Sequence, residues 1–148
     1  MKIDTDKEKI EEILTRSVVE ILPTKNGLRE ALESGKRLRI YIGTDATGTS
    51  LHIGHATNYM ILEKLRRLGH EVIFLVGDFT ARIGDPTDKY ATRKPLTRKQ
   101  VLANAKDYKK QIGKILDLNK LNVRFLYNEK WTNKLKPIDL LSIASNFT

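Results

Sequence analysis

The chain has no cysteine among its 148 residues, which excludes disulfides and thiolate metal sites and fits a reducing compartment. Long apolar runs are missing too. Nothing approaches the ~20 consecutive apolar residues of a membrane span. The N-terminal M-K-I-D-T-D-K-E-K-I mixes both charge signs where a targeting signal would carry an apolar stretch. A soluble, cytoplasmic protein with no membrane contact is expected. Histidine is scarce, with three residues in all, and no further His or Cys completes a ligand set around His52 and His55, so no metal site is expected. Acidic side chains are short in one region only. Residues 1–37 balance eight basic with eight acidic side chains, so the net charge of +9 lies entirely beyond them, and between Lys89 and Lys114 nine Lys/Arg face the single Asp107. Such a stretch suits a polyanionic partner, whether nucleotide phosphates or a nucleic-acid backbone, or else forms a solvated helix face.

What is present suits one ordinary domain: 40% hydrophobic residues are enough for a real core, and the chain shows neither internal repeat nor low-complexity tract. Ile10, Ile13, Leu14, Ser17, Val18 and Ile21 recur at helical spacing, predicting a helix from Thr5 to about Leu22 that Pro23 and Asn26-Gly27 terminate. A second helix is expected from Leu28 to Ser34, stopped by Gly35. Residues 1–37 thus read as a helical lead-in and residues 38–148 as the main domain.

That domain opens with a strand, Leu38 to Gly43, a small-residue loop, and a helix from Ile53 to Leu68 terminated by Gly69. The expected inner face of this helix carries Ile53, Ala56, Met60 and Leu65, and the outer face Glu63, Lys64, Arg66 and Arg67. Val72 to Val76 is apolar without alternation, as in a strand covered on both faces of a parallel sheet, and a βαβ unit follows. Gly77 to Pro95 is a long irregular stretch beginning at the carboxyl end of that strand, where open α/β sheets bind ligands. A helix from Thr97 to about Leu116, a strand from Val123 to Tyr127, a polar loop from Trp131 and a helix from Pro137 complete an α/β architecture that is half of a nucleotide-binding fold. Trp131 is expected in packing and His70 on the surface.

Chemistry concentrates in His52-Ile53-Gly54-His55. The helix N-terminus supplies unpaired N–H groups and partial positive charge, Gly54 lets a nucleotide approach the backbone, and two imidazoles can donate to phosphate oxygens as charge develops.

Taken in order, Tyr41-Ile42-Gly43, Asp45 with Thr47, Leu51-His52-Ile53-Gly54-His55, and Ile83-Gly84-Asp85-Pro86-Thr87-Asp88-Lys89 with Arg93 resemble the class I aminoacyl-tRNA synthetases. Among these they look most like the tyrosyl-tRNA synthetase catalytic domain. The resemblance runs from about residue 25 to the last residue and implies the first half of a Rossmann-like parallel sheet carrying the HIGH-motif helix. It implies ATP with Mg2+, tyrosine and tRNA(Tyr) as substrates, and a homodimer in the full-length protein. By position, it places Tyr41 at the substrate phenol, Asp85 at its ammonium, and Asp45 where amino acid meets ATP. Gly43 falls in the same nucleotide-binding stretch, Thr47 and His52 at the β- and γ-phosphates, Gly54 and His55 at the ribose and base, and Lys89 and Arg93 on the departing pyrophosphate. Two departures stand out: G-T-D-A-T lacks the aromatic and proline many members have around the aspartate, and Asp88 replaces a common glycine, which points to weaker pyrophosphate binding. The family's second catalytic half, with its KMSKS loop, and its anticodon domain have no counterpart in these residues. The chain is therefore expected to be an N-terminal portion without full activity alone. A tryptophanyl-tRNA synthetase-like enzyme, a non-catalytic nucleotide- or RNA-binding paralogue, and a HIGH-type nucleotidylyltransferase are the competing readings.

Overall fold

The computed structural model describes residues 2–83 and 95–147. Three strands, β1 (Arg39–Asp45), β2 (Glu71–Gly77) and β3 (Val123–Tyr127), form one parallel sheet in the order β1-β2-β3. Register places Ile42 beside Phe74 and Phe74 beside Phe125. The expected parallel α/β arrangement is therefore present, with the continuously apolar strand at its centre. Val72, Phe74 and Val76 are fully buried, each contributing roughly 1.5–3 kcal/mol of burial free energy.

Helices α1 (Lys7–Thr15), α2 (Lys25–Glu33) and α3 (Ile53–Arg67) share one core with the sheet, in which Ile10, Leu14 and Leu32 join Leu62, Phe74 and Val101. α1 is shorter than its apolar pattern predicts. Arg16 turns extended and Ser17 takes a φ of 63°, so Val18 falls outside the helix and Val19 is fully exposed. α2 begins earlier than expected because the Thr24 hydroxyl accepts from Gly27 N at 3.1 Å and caps the helix.

The inner face of α3 is rotated from the predicted one. Tyr59, Leu62, Glu63, Leu65 and Arg66 are buried, whereas Ile53 is 86% and Met60 54% exposed. The cause is a bidentate pair: Arg66 Nε and Nη2 each donate to Glu63 at 2.7 Å, Arg67 Nε adds a bond at 2.9 Å, and Asp117 N another at 3.3 Å. Burial opposes ionisation of Glu63, but these donors outweigh it and bring its carboxyl down to about 2. A charged pair satisfied in this way lets the helix turn its polar side inward.

Past α3, Gly69 at φ 99° accommodates the N-terminal segment, since a Cβ there would meet Lys2 O at 2.6 Å. His70 is fully buried rather than superficial. Its Nδ1 accepts from Leu38 N, and its carbonyl accepts from the buried Asn122 amide. The helix expected from Thr97 divides at Lys106-Asp107 into α4 (Arg98–Ala105) and α5 (Tyr108–Ile112). Trp131 lies in a short helix, α6 (Glu129–Thr132), and is 42% exposed, so it is neither in a loop nor a core packing residue. α7 (Pro137–Ala144) follows with no buried residue. Among the described residues no helix is long and apolar enough to cross a membrane.

Candidate functional site

β1 and the turn after it set the site's geometry. Alternation puts Tyr41, Gly43 and Asp45 on the open face of the strand, with Ile40, Ile42 and Thr44 turned the other way. At the carboxyl ends of β1 and β2 a cleft of about 780 Å³ is lined by Gly43, Asp45, Thr47, His52 and His55, and also by Ile42, Thr44 and Tyr108. Of the sequence-derived candidates, the first five come together. Tyr41 stands apart on the same face, 69% exposed. Gly54 does not line the cleft but acts through its amide. Asp85, Lys89 and Arg93 lie outside the described residues.

The start of α3 is closed by the two histidines themselves. Gly54 N donates to His52 Nδ1 at 3.1 Å, and His52 N donates to His55 Nδ1 at 3.2 Å, a reciprocal cap in which imidazoles replace the usual hydroxyl and carboxylate. An Nδ1 that accepts an N–H leaves the ring proton on Nε2, so both rings keep an Nε2–H donor. The rings lie 3.9 Å apart between centroids. Burial, followed by the neighbouring His52, holds His55 below the usual histidine range and so keeps it neutral.

Asp45 is held in place by a relay. Thr80 Oγ1 donates to Asp45 Oδ1 at 2.6 Å, Asn128 Nδ2 donates to Thr80 Oγ1 at 3.1 Å, and Asn128 Oδ1 accepts from Phe79 N at 2.8 Å. The space between β1 and β2 is kept by Gly77, where a Cβ would collide with Asp45 Oδ1.

The connection from Ala46 to Leu51 is held from α4 and α5. Asn104 Nδ2 donates to Ala46 O at 2.9 Å, Tyr108 Oη to Gly48 O at 2.7 Å, and Gln111 Nε2 to Thr49 O at 2.9 Å, while Leu51 N donates to Gln111 Oε1 at 2.8 Å. Thr80, Asn128, Asn104, Tyr108 and Gln111 were not singled out as site residues from sequence. Asn104, Tyr108 and Gln111 follow one another at spacings of four and three on the buried side of α4–α5, and polar groups at such positions are the signal that would have drawn attention to them.

Among the described residues no group of three His, Cys, Asp or Glu is arranged to hold a metal ion. The arrangement suits an anion: neutral N–H donors at a helix start, a hydroxyl from Thr47, and a fixed carboxylate at the edge to receive a cationic or hydroxylic group.

Residues 33–148 match the family model described as tRNA synthetases class I (W and Y). The chain is 43% identical over its whole length to the tyrosine–tRNA ligase of Carboxydothermus hydrogenoformans, of which it covers 36%. It is 47% identical over 91% of its length to that of Legionella pneumophila (strain Lens), of which it covers 33%. The chain thus spans about a third of the length of these curated relatives. A C-terminally truncated mitochondrial tyrosyl-tRNA synthetase of Aspergillus nidulans superposes with a TM-score of 0.73 at 26% identity, covering 92% of this chain and 41% of that one. The Archaeoglobus fulgidus tyrosyl-tRNA synthetase, crystallised with L-tyrosine, has the same fold: TM-score 0.71, 24% identity, 95% of this chain and 40% of that one.

Proposed function

Because the chain belongs to the class I tRNA synthetases (W and Y), we propose that its residues form one wall of the adenylate-forming site of a tyrosine–tRNA ligase. The observation that carries this reading is the cleft itself, which gathers Asp45, Thr47, His52 and His55 at the start of a helix. The names of the relatives at 43% and 47% identity favour tyrosine over tryptophan.

In this reading Mg2+-bound ATP and tyrosine are substrates. A tyrosine carboxylate oxygen attacks the α-phosphorus in line, the bond to the bridging oxygen breaks, and pyrophosphate departs with the electron pair. Thr47 and the Nε2–H groups of His52 and His55 serve as donors to the nucleotide, His52 toward the leaving phosphates and His55 toward the ribose. Gly43 permits close approach of the nucleotide to the backbone, and Gly54 holds the His52 ring through its amide. Asp45 sits where amino acid and ATP meet, Tyr41 recognises the phenol, Asp85 the ammonium, and Lys89 and Arg93 the pyrophosphate. Catalysis then rests on positioning and on donors aimed where charge develops. A ribose hydroxyl at the 3′ end of tRNA(Tyr) attacks the adenylate carbonyl in the second step, releasing AMP. Assembly as a homodimer and location in the cytoplasm belong to the same proposal.

The test is a graft in which these 148 residues replace the matching segment of the Carboxydothermus ligase. Tyrosine-dependent ATP–pyrophosphate exchange is expected, with none for tryptophan. Exchange with tryptophan alone, or with neither amino acid from a folded graft, overturns the proposal.

A further inference from the structure

We infer that Asn104, Tyr108 and Gln111 are positioning residues that fix the Ala46–Leu51 loop in the orientation from which it receives phosphate, an inference that rests on the proposed adenylate chemistry. Three side chains from one face of α4–α5 take the carbonyls of Ala46, Gly48 and Thr49, and Gln111 also takes the amide of Leu51. Both ends of the Gln111 amide are therefore engaged by the same loop, which fixes its height as well as its tilt.

The consequence follows from peptide geometry. In a trans peptide the C=O and the next N–H point in opposite directions. With the carbonyls of Gly48 and Thr49 held against α5, the amides of Thr49 and Ser50 face away from it. The clamp occupies with donors the carbonyl oxygens whose lone pairs would otherwise repel a phosphate. It also leaves Thr47 and His52 on the cleft lining with Asp45. Tyr108 is 2% exposed, and its ring belongs to the core while its hydroxyl reaches the loop. Burial pushes that hydroxyl's pKa up, so it remains a donor. None of the three residues needs to touch a nucleotide to act.

The probe is inorganic pyrophosphate titrated into the full chain and followed by amide NMR. In the unmodified chain, the amides from Thr47 to Ser50 and His52 are expected to shift together. Tyr108→Phe keeps the ring and loses one bond to the loop. Gln111→Glu keeps the acceptor for Leu51 N and loses the donor to Thr49 O, while Gln111→Ala loses both. Each variant is expected to retain the fold, read from unchanged amide positions in β2 and β3. Pyrophosphate binding should weaken about tenfold when one bond is lost and further for Gln111→Ala, with hydrogen-exchange protection of Leu51 N lost only in Gln111→Ala. Gln111→Ala binding pyrophosphate as tightly as the unmodified chain overturns the inference, as does unchanged binding by both Tyr108→Phe and Gln111→Glu. So does an unmodified chain whose loop amides do not respond. Failure of the graft to activate tyrosine while the loop still binds pyrophosphate through the clamp refutes the adenylate reading alone.

Discussion

Thr80 Oγ1 donates to Asp45 Oδ1 across 2.6 Å, joining the end of β1 to the turn that follows β2. Both atoms crowd the same point: a Cβ on Gly77 would collide with the carboxylate and lie 2.5 Å from the hydroxyl. Gly77→Ala therefore has to separate the pair or push the strands apart. Overpacking of this kind costs about 1–3 kcal/mol. Urea unfolding of the chain should show a loss in that range, and tyrosine-dependent exchange in the graft should fall by more than that loss of stability accounts for. Thr80→Val, which removes the donor to Asp45 and the acceptor of Asn128 Nδ2, should reduce exchange and cost about 1 kcal/mol of stability.

Replacing His52 by serine separates its two roles. A serine at this position still accepts from the helix start and keeps α3 capped, but it has no Nε2–H to offer a phosphate. Exchange is expected to fall about 10²-fold, as for loss of one oriented donor, while the unfolding midpoint stays within experimental error. An equal fall in both would assign His52 to helix capping alone.

Glu63 gives a pH signature. Its folded carboxyl is at about 2 against an ordinary 4.5, so the ionised form is favoured by folding. The stabilisation is complete above 4.5 and is lost as the pH falls from 4.5 toward 2, amounting to about 3 kcal/mol. Glu63→Gln should destabilise the chain by about that much at pH 7, leaving the Arg66 charge without its partner. The difference between the two proteins should shrink to near zero at pH 2, measured by urea unfolding across the range.

His70 gives a second window of the same sign at higher pH. Burial, followed by the Arg37 charge, holds it below the usual histidine value of 6.5, so folding favours the neutral ring. Its stabilisation is whole above 6.5 and declines as the pH drops below that value, until the folded form also takes a proton. The slope from this residue is at most about 1.4 kcal/mol per pH unit. His70→Gln, which retains an acceptor for Leu38 N, should flatten the stability profile between pH 6.5 and 5. Direct NMR titration of the ring should find its midpoint below that of a free histidine.

The sheet was legible because β2 is apolar without a break from Val72 to Val76, as a strand covered on both faces requires, and the start of α3 was legible because a small-residue loop there gives way to helical spacing. The turn of α3 about its axis was not. Periodicity assigns Glu63 and Arg66 to solvent, and only their mutual bidentate geometry, invisible in a pattern of apolar residues, makes burial tolerable. The same limit hid His70, whose burial depends on an amide 32 residues earlier in the chain. In the site, residue type and spacing led to His52 and His55, and the family resemblance to Asp45 and Thr47. The groups that hold Asp45 and the loop stayed unseen, because a threonine in a turn and an asparagine or glutamine on a helix acquire meaning only when the backbone they reach is known.

The reciprocal cap at the start of α3 has one more consequence. Because both rings spend Nδ1 on backbone amides, what they offer a polyphosphate in the proposed site is an oriented Nε2–H donor. Counterions screen charges far more than short, oriented hydrogen bonds, so the histidines' share of the affinity should hardly change with ionic strength. Salt dependence in nucleotide binding then reports on the lysines and arginines, and the two contributions can be separated by titration in sodium chloride without altering a residue.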